Sequence, residues 1–174
     1  MRTLSLIPVI VNLAIIAGPV AAQLDAPGSR KTLIGLPGFF VAVEDMDSAA
    51  TRVGVTSTVI QKDVEERLKA AGIRLYTAED FKNILEVPQL YVNINELPLH
   101  GAQAGLFTYN ATTEVRQAIK LSRNPDIAST SVTWRAPATV GTVGSDNLYV
   151  AVRDVVREQV DLLITAFRSA NSGR

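Results

Sequence analysis

The amino-acid sequence predicts an α+β domain in two layers. One mixed, mostly antiparallel sheet of about five strands, in the order β-α-β-β-β-α, carries two long helices on one face. This reading rests on three features of the chain. Two stretches, one from Thr58 to Ala71 and one beginning at Ser145, space their apolar residues as one face of a helix. Three later stretches alternate apolar with polar residues, so each seeks burial on one side only. Between these, Gly72 stands where a helix C-cap belongs and leads into the short alternation Ile73-Arg74-Leu75-Tyr76, which makes a β-α-β unit.

The first strand is "GFFVAVED". Phe39, Val41 and Val43 fall on one side, Phe40 and Ala42 on the other, so both faces are apolar and the strand belongs in the middle of its sheet. The following helix has Thr56 or Thr58 as N-cap, with Gln61 at capping-box distance from Thr58. Its stripe is Ile60, Val64, Leu68 and Ala71. Thr77 and Asp80 start a short helical turn that runs through Leu85 and ends at Pro88. "QLYVNIN" sets Leu90, Val92 and Ile94 against Tyr91, Asn93 and Asn95. After the loop "ELPLHGAQAG", a long strand from Leu106 to Leu121 sets Phe107, Tyr109, Ala111 and Val115 against Thr108, Asn110, Thr112, Glu114 and Arg116. The turn "SRNPD" returns the chain into a strand in which Thr130, Val132, Trp134 and Ala136 oppose Ser131, Thr133 and Arg135. "PATVGTVG" reads as a loop or an irregular edge. Ser145 or Asp146 caps the last helix, whose expected apolar face is Leu148, Val152, Val155, Leu162, Leu163, Ala166 and Ala170.

The start of the chain has a different character. Arg2 precedes an apolar run from Leu4 to Ile16, then Gly18-Pro19 and the small residues Val20-Ala21-Ala22. A cation, an apolar stretch and small residues at −3 and −1 describe a secretory signal peptide over residues 1–22, cleaved between Ala22 and Gln23. Pro19 interrupts the run well short of the roughly 20 apolar residues a membrane span needs. Residues 23–32 read as a flexible mature N-terminus, 33–170 as a single domain and 171–174 as a disordered tail. The expected compartment is the periplasm or the extracellular space.

Composition excludes several chemistries. The chain has 17 Lys and Arg against 17 Asp and Glu, hence no net charge, and no basic run of the kind that grips nucleic acid. With no cysteine it has no disulfide framework, thiol nucleophile or thiolate metal site, and no acylated anchor. Gly35-Leu36-Pro37-Gly38 precedes a strand, whereas a phosphate-binding loop follows one. His100, the one histidine, has no serine elbow with which to build a triad and too few co-ligands for zinc. Glu44, Asp45 and Asp47 collect oxygen ligands without calcium-loop spacing and read as a solvated acidic loop. Asn110-Ala111-Thr112 matches a glycosylation acceptor but lies within a strand. No cofactor, no metal and no catalytic residue is expected.

The polar parity of the three alternating strands remains. Tyr91, Asn93, Asn95, Asn110, Thr133 and Arg135 are expected together on the helix-free face, where Tyr, Asn and Arg offer contact area and hydrogen bonds to a partner. Asparagine is disfavoured in strands, which sets Asn93 and Asn95 apart from an ordinary solvated face. The expected function is an exported, non-catalytic binding or assembly module acting on another envelope protein or a glycan. Small-ligand or glycan binding on the open face is the alternative, and a carboxylate-dependent hydrolase a more remote one.

"FFVAVED", "VIQKDVEERLKAAGIRLYT" and "PQLYVNIN", taken in order, resemble exported bacterial domains of the TolB amino-terminal type. Such domains also occur in periplasmic lipoprotein activators of penicillin-binding proteins and in the curli-secretion lipoprotein. The resemblance covers roughly residues 36–170 at the level of architecture. It implies a non-catalytic periplasmic adaptor and carries over no functional residue.

Overall fold

β1 (Gly38–Val43) is an interior strand, one in from the edge, of a six-stranded sheet. The structure, a computed structural model, describes residues 27–84 and 86–173. The predicted signal segment and its Ala22–Gln23 junction lie outside those residues. β1 pairs in parallel with β2 (Arg74–Tyr76) on one side and with β3 (Gln89–Pro98) on the other. β3 continues antiparallel to β4 (Leu106–Leu121). The outer flank of β4 is shared: its first half pairs with β6 (Thr139–Gly144), and its second half pairs with β5 (Asn124–Arg135). The sheet is thus mixed and mostly antiparallel, as the sequence predicts.

Both long helices, α3 (Ser57–Ala70) and α5 (Ser145–Asn171), lie on one face of this sheet. α3 starts at Thr56, whose hydroxyl accepts from Val59 N, and buries Ile60, Val64 and Leu68. Opposite them the sheet offers Phe39, Val41, Leu90, Val92, Ile94, Val115 and Trp134, all buried. The parity expected for β1, β3 and the first part of β4 is therefore the parity observed. Along their outer rim the two helices are joined by two ion pairs, Arg67 with Asp161 and Arg153 with Asp63. These pairs are half-exposed and contribute about 0–1 kcal/mol each, so apolar burial carries this interface.

Gly38 marks where β1 meets β2. Its φ is +155° and a Cβ there would stand 2.2 Å from the carbonyl oxygen of Arg74, so only glycine lets the two backbones approach.

Several elements differ from expectation. Where a flexible lead-in is expected, Pro27–Lys31 forms α1, and the segment after it is tied down. Leu33 is fully buried, its carbonyl accepts from Asn171 Nδ2, and Asn171 Oδ1 accepts from Gly35 N. The acidic loop opens a short helix, α2 (Ser48–Arg52), capped by Asp47 through Ala49 N. α4 (Ala78–Asn83) has the predicted Thr77–Asp80 capping box and lies against the second face of the sheet, where Phe81 stacks on Phe40 at 4.6 Å. The "PATVGTVG" stretch contributes a full edge strand, β6. In α5 the buried face is Leu148, Val152, Val156, Val160, Leu163, Ile164 and Ala166, with Gln159 among them. Leu162, expected inside, is exposed, because the apolar residues of α5 are dense enough to fit two helical phases.

Candidate functional site

The strand register assembles the face away from α3 and α5 in rows. Ala42, Tyr91, Glu114 and Arg135 form one row across β1, β3, β4 and β5. Asn93 lies opposite Thr112 in the next, then Asn95 opposite Asn110 opposite Val140, then Leu97 opposite Thr108 opposite Thr142. Directly paired residues point to the same side of a sheet, so these side chains share one surface.

Their side chains are linked. Glu44, just past the end of β1, accepts from Tyr91 Oη and Asn93 Nδ2 through its Oε2, and Asn95 Nδ2 donates to Asn93 Oδ1. The hydrogen bond from Tyr91, then that from Asn93, holds the Glu44 carboxyl below the usual carboxylate range, and the same bond to Glu44 raises the Tyr91 phenol. The Arg116 guanidinium lies over the Tyr91 ring, 3.5 Å from its centroid. Arg116 also donates to Glu114 Oε1 at 2.7 Å, and Arg135 donates twice to Glu114 Oε2 at 2.9 and 2.7 Å. Glu114 is buried although it points away from the helices, because the two arginines cover it. The two carboxylates balance the two guanidiniums. The network therefore adds no net charge to this face.

Beside this network the face exposes aliphatic surface. Leu97 is 63% exposed and Val140 70% exposed, flanking the Asn95–Asn110 pair. Asn110 Oδ1 is shielded from solvent and has no donor. Thr108 and Thr142 hydroxyls meet at 3.2 Å.

Of the six residues predicted for this surface, Tyr91, Asn93, Asn95, Asn110 and Arg135 are brought together on it. Thr133 is not. β5 pairs Trp134 with Val115 and then Val132 with Arg116, leaving Thr133 as the extra residue of a β-bulge. The bulge reverses the parity of the strand before it. Val132 falls opposite Arg116 on the face away from α3 and α5, and Ser131 falls opposite Gln117. Thr133 Oγ1 instead accepts from Gln117 Nε2, which also donates to Thr32 O beside α1. Both Thr133 and Ser131 thus leave the predicted surface. Glu44, Glu114 and Arg116 join the site without having been among the six, although Glu114 and Arg116 share the polar parity of β4. Leu97 and Val140 belong to stretches that read as loops, where nothing in the sequence signals a face.

The other candidates take separate roles. Asp45 Oδ1 receives Ser57 Oγ at 3.4 Å, while Glu44 serves the network and Asp47 caps α2. His100 is exposed ahead of a one-turn 3-10 helix at Gly101–Gln103. No helix among the described residues is long and apolar enough to cross a membrane.

Glu96 is a titratable group that no motif or spacing in the sequence singles out. It follows Leu90, Val92 and Ile94 in parity, opposite Tyr109, so its carboxylate enters the core side, where both oxygens are shielded and make no well-formed hydrogen bond. Burial, with the nearby Asp47 charge adding to it, pushes its pKa up to about 7. An acid whose pKa is higher folded than unfolded binds more protons in the folded state between the two values. Stability is therefore greatest at or below the ordinary carboxylate pKa and falls as pH rises through about 7. Thermal melts should show Glu96→Gln more stable than wild type at alkaline pH, with the difference closing toward mildly acidic pH. A difference independent of pH would contradict a buried, titrating Glu96.

No family model matches the chain, and no curated protein matches it. Among solved structures, it is similar to a minor lipoprotein from Acinetobacter baumannii, with 10% identity and a TM-score of 0.37 over 78% of this chain and 93% of that one. It is also similar to PelC from Paraburkholderia phytofirmans, solved as a dodecamer, with 15% identity and a TM-score of 0.39 over 77% of this chain and 90% of that one.

Proposed function

We propose that the protein is an exported, non-catalytic binding module that captures another envelope protein on the sheet face away from α3 and α5. The observation that carries this reading is the linked set Glu44, Tyr91, Asn93, Glu114, Arg116 and Arg135 beside exposed Leu97 and Val140. A merely solvated face has no use for ordered, mutually bonded side chains around bare aliphatic groups, whereas a recognition surface has use for both. A protein suits it better than a small ligand. The clefts of about 350 Å³ between α3 and α5 and about 620 Å³ beside the β4–β5 hairpin are lined by none of these linked residues, and a third of about 190 Å³ beside α4 meets them only at Arg116. Export rests on the leader pattern before Gln23.

The test is capture of partners from the native envelope by wild type, by Tyr91→Ala/Asn93→Ala/Arg135→Ala and by Leu97→Ser/Val140→Ser, at matched folded fractions. Each combination should weaken capture of the same partner by about thirtyfold or more, the effect of losing anchor residues. The captured bait should begin at Gln23. Undiminished capture by both variants would move the site off this face, and bait retaining Met1 would remove the export reading.

A further inference from the structure

Arg116 lies in the row next to the one that carries Glu114. Phe40, Gln89, Arg116 and Val132 are paired in register across β1, β3, β4 and β5. α4 stands over the β1 end of this row through the stack of Phe81 on Phe40. Between α4 and the strands remains a cleft of about 190 Å³, whose lining includes Phe81, Lys82, Gln89, Arg116, Ala118 and Thr130. Among the described residues, no aspartate or glutamate lines it.

Charge at this cleft is one-sided. Glu114 engages Arg116 and Arg135 through Nε and Nη2 of each, so Nη1 stays clear of that carboxylate. Among the described residues, Glu114 is the one carboxylate in an ion pair with either arginine, and Lys82 is in no ion pair. One carboxylate shared by two guanidiniums leaves a unit of positive charge, and Lys82 adds another. The Glu44 carboxylate stands at the hydroxyl end of Tyr91, whereas Arg116 lies over the ring. The face is therefore polarised, negative at Glu44 and positive at the cleft.

Shape and lining select what fits. Small-molecule sites occupy about 300–1,000 Å³, so this cleft suits a single side chain. Phe81 and Ala118 offer apolar walls to a methylene stem, while Arg116 and Lys82 offer donors to its end. Glu114 already fixes the Arg116 guanidinium, and a donor held in place loses less entropy on binding.

We infer that this cleft receives an acidic side chain of the partner protein, its carboxylate held between Arg116 and Lys82. The inference rests on the reading of this face as the partner surface. The probe is the blocked dipeptide acetyl-Leu-Glu-amide, titrated into the isotopically labelled full chain and followed by NMR. Saturable shifts should appear at the Arg116 Nε–H and at the Gln89 and Thr130 amides. The analogue with Gln in place of Glu should bind at least about tenfold more weakly, the worth of one charge-assisted hydrogen bond. Lys82 is exposed, so Lys82→Gln should leave the melting temperature unchanged. It should weaken both the dipeptide and capture of the native partner at least about tenfold, and Lys82→Arg should restore both. Lys62→Gln on α3 should alter neither. Equal affinity for the Glu and Gln dipeptides, or shifts that gather elsewhere, would overturn the inference. So would inorganic phosphate that binds the cleft more tightly than the dipeptide, which would assign it to a free anion. Capture lost in Tyr91→Ala/Asn93→Ala/Arg135→Ala but intact in Lys82→Gln would overturn it while the partner surface stands. Capture intact in both would remove the partner surface as well.

Discussion

Leu68→Ala should lower the stability of the fold by about 2–5 kcal/mol in urea melts, whereas Glu66→Ala should change it by less than about 0.5 kcal/mol. The two residues are neighbours on α3 and differ only in the direction they face. Leu68 has no exposed surface and completes the stripe of Ile60 and Val64 against the sheet. Truncation there removes buried methyl groups and leaves a cavity that the surrounding strands and α5 are too rigid to fill. The Glu66 side chain is 63% exposed, and its ion pair is with Lys62 at 3.9 Å, a surface contact of little net value. Equal effects of the two changes would mean that α3 is rotated about its axis, with a different stripe against the sheet.

A second large effect is expected at Gln159, in the middle of the buried face of α5 and only 2% exposed. Its Oε1 accepts from Thr113 Oγ1 at 2.8 Å, and its Nε2 donates to the carbonyls of Ala111 and Pro137, each at 3.0 Å. One amide thus joins α5 to β4 and to the link between β5 and β6. Gln159→Ala leaves a buried hydroxyl and two carbonyls without this partner, at a cost of about 2–4 kcal/mol. Gln159→Met keeps most of the volume and removes the hydrogen bonds. It should recover less than half of that loss, which separates the polar contribution from the packing one. A methionine variant as stable as wild type would show that packing alone matters at this position.

Gln159 also shows where sequence reading stops. A glutamine within an apolar helical face looks the same whether it ends in water or in a buried network, because the difference is made by Thr113 and by backbone carbonyls distant in the chain. Alternation does locate Leu90, Val92 and Ile94 inside and Tyr91, Asn93 and Asn95 outside, since a strand has only two faces and its neighbours impose the choice. It fails at Thr133, where one extra residue in β5 shifts the phase. A bulge is set by pairing with β4, and "STSVTWR" alternates well enough to hide it. Leu97 and Val140 escape for a related reason. Each lies where a short or glycine-bearing stretch continues a strand because a neighbour offers a free edge. Capping residues, by contrast, act within four positions of one another, and the Thr77–Asp80 box is legible from the amino acids alone.

If the face carrying Tyr91, Asn93 and Asn95 is the surface a partner covers, a cross-linker placed on it should find that partner. Because the chain has no cysteine, a photoreactive cross-linker can be attached at a single introduced thiol without background. Thr112→Cys places it in the middle of that face, opposite Asn93, and Lys62→Cys places it on the exposed side of α3. After irradiation in the native envelope, Thr112→Cys should form one dominant cross-linked species with another envelope protein, identified by mass spectrometry, and Lys62→Cys should not. Cross-linking of that protein from Lys62→Cys with none from Thr112→Cys would contradict it and place recognition on the helical layer.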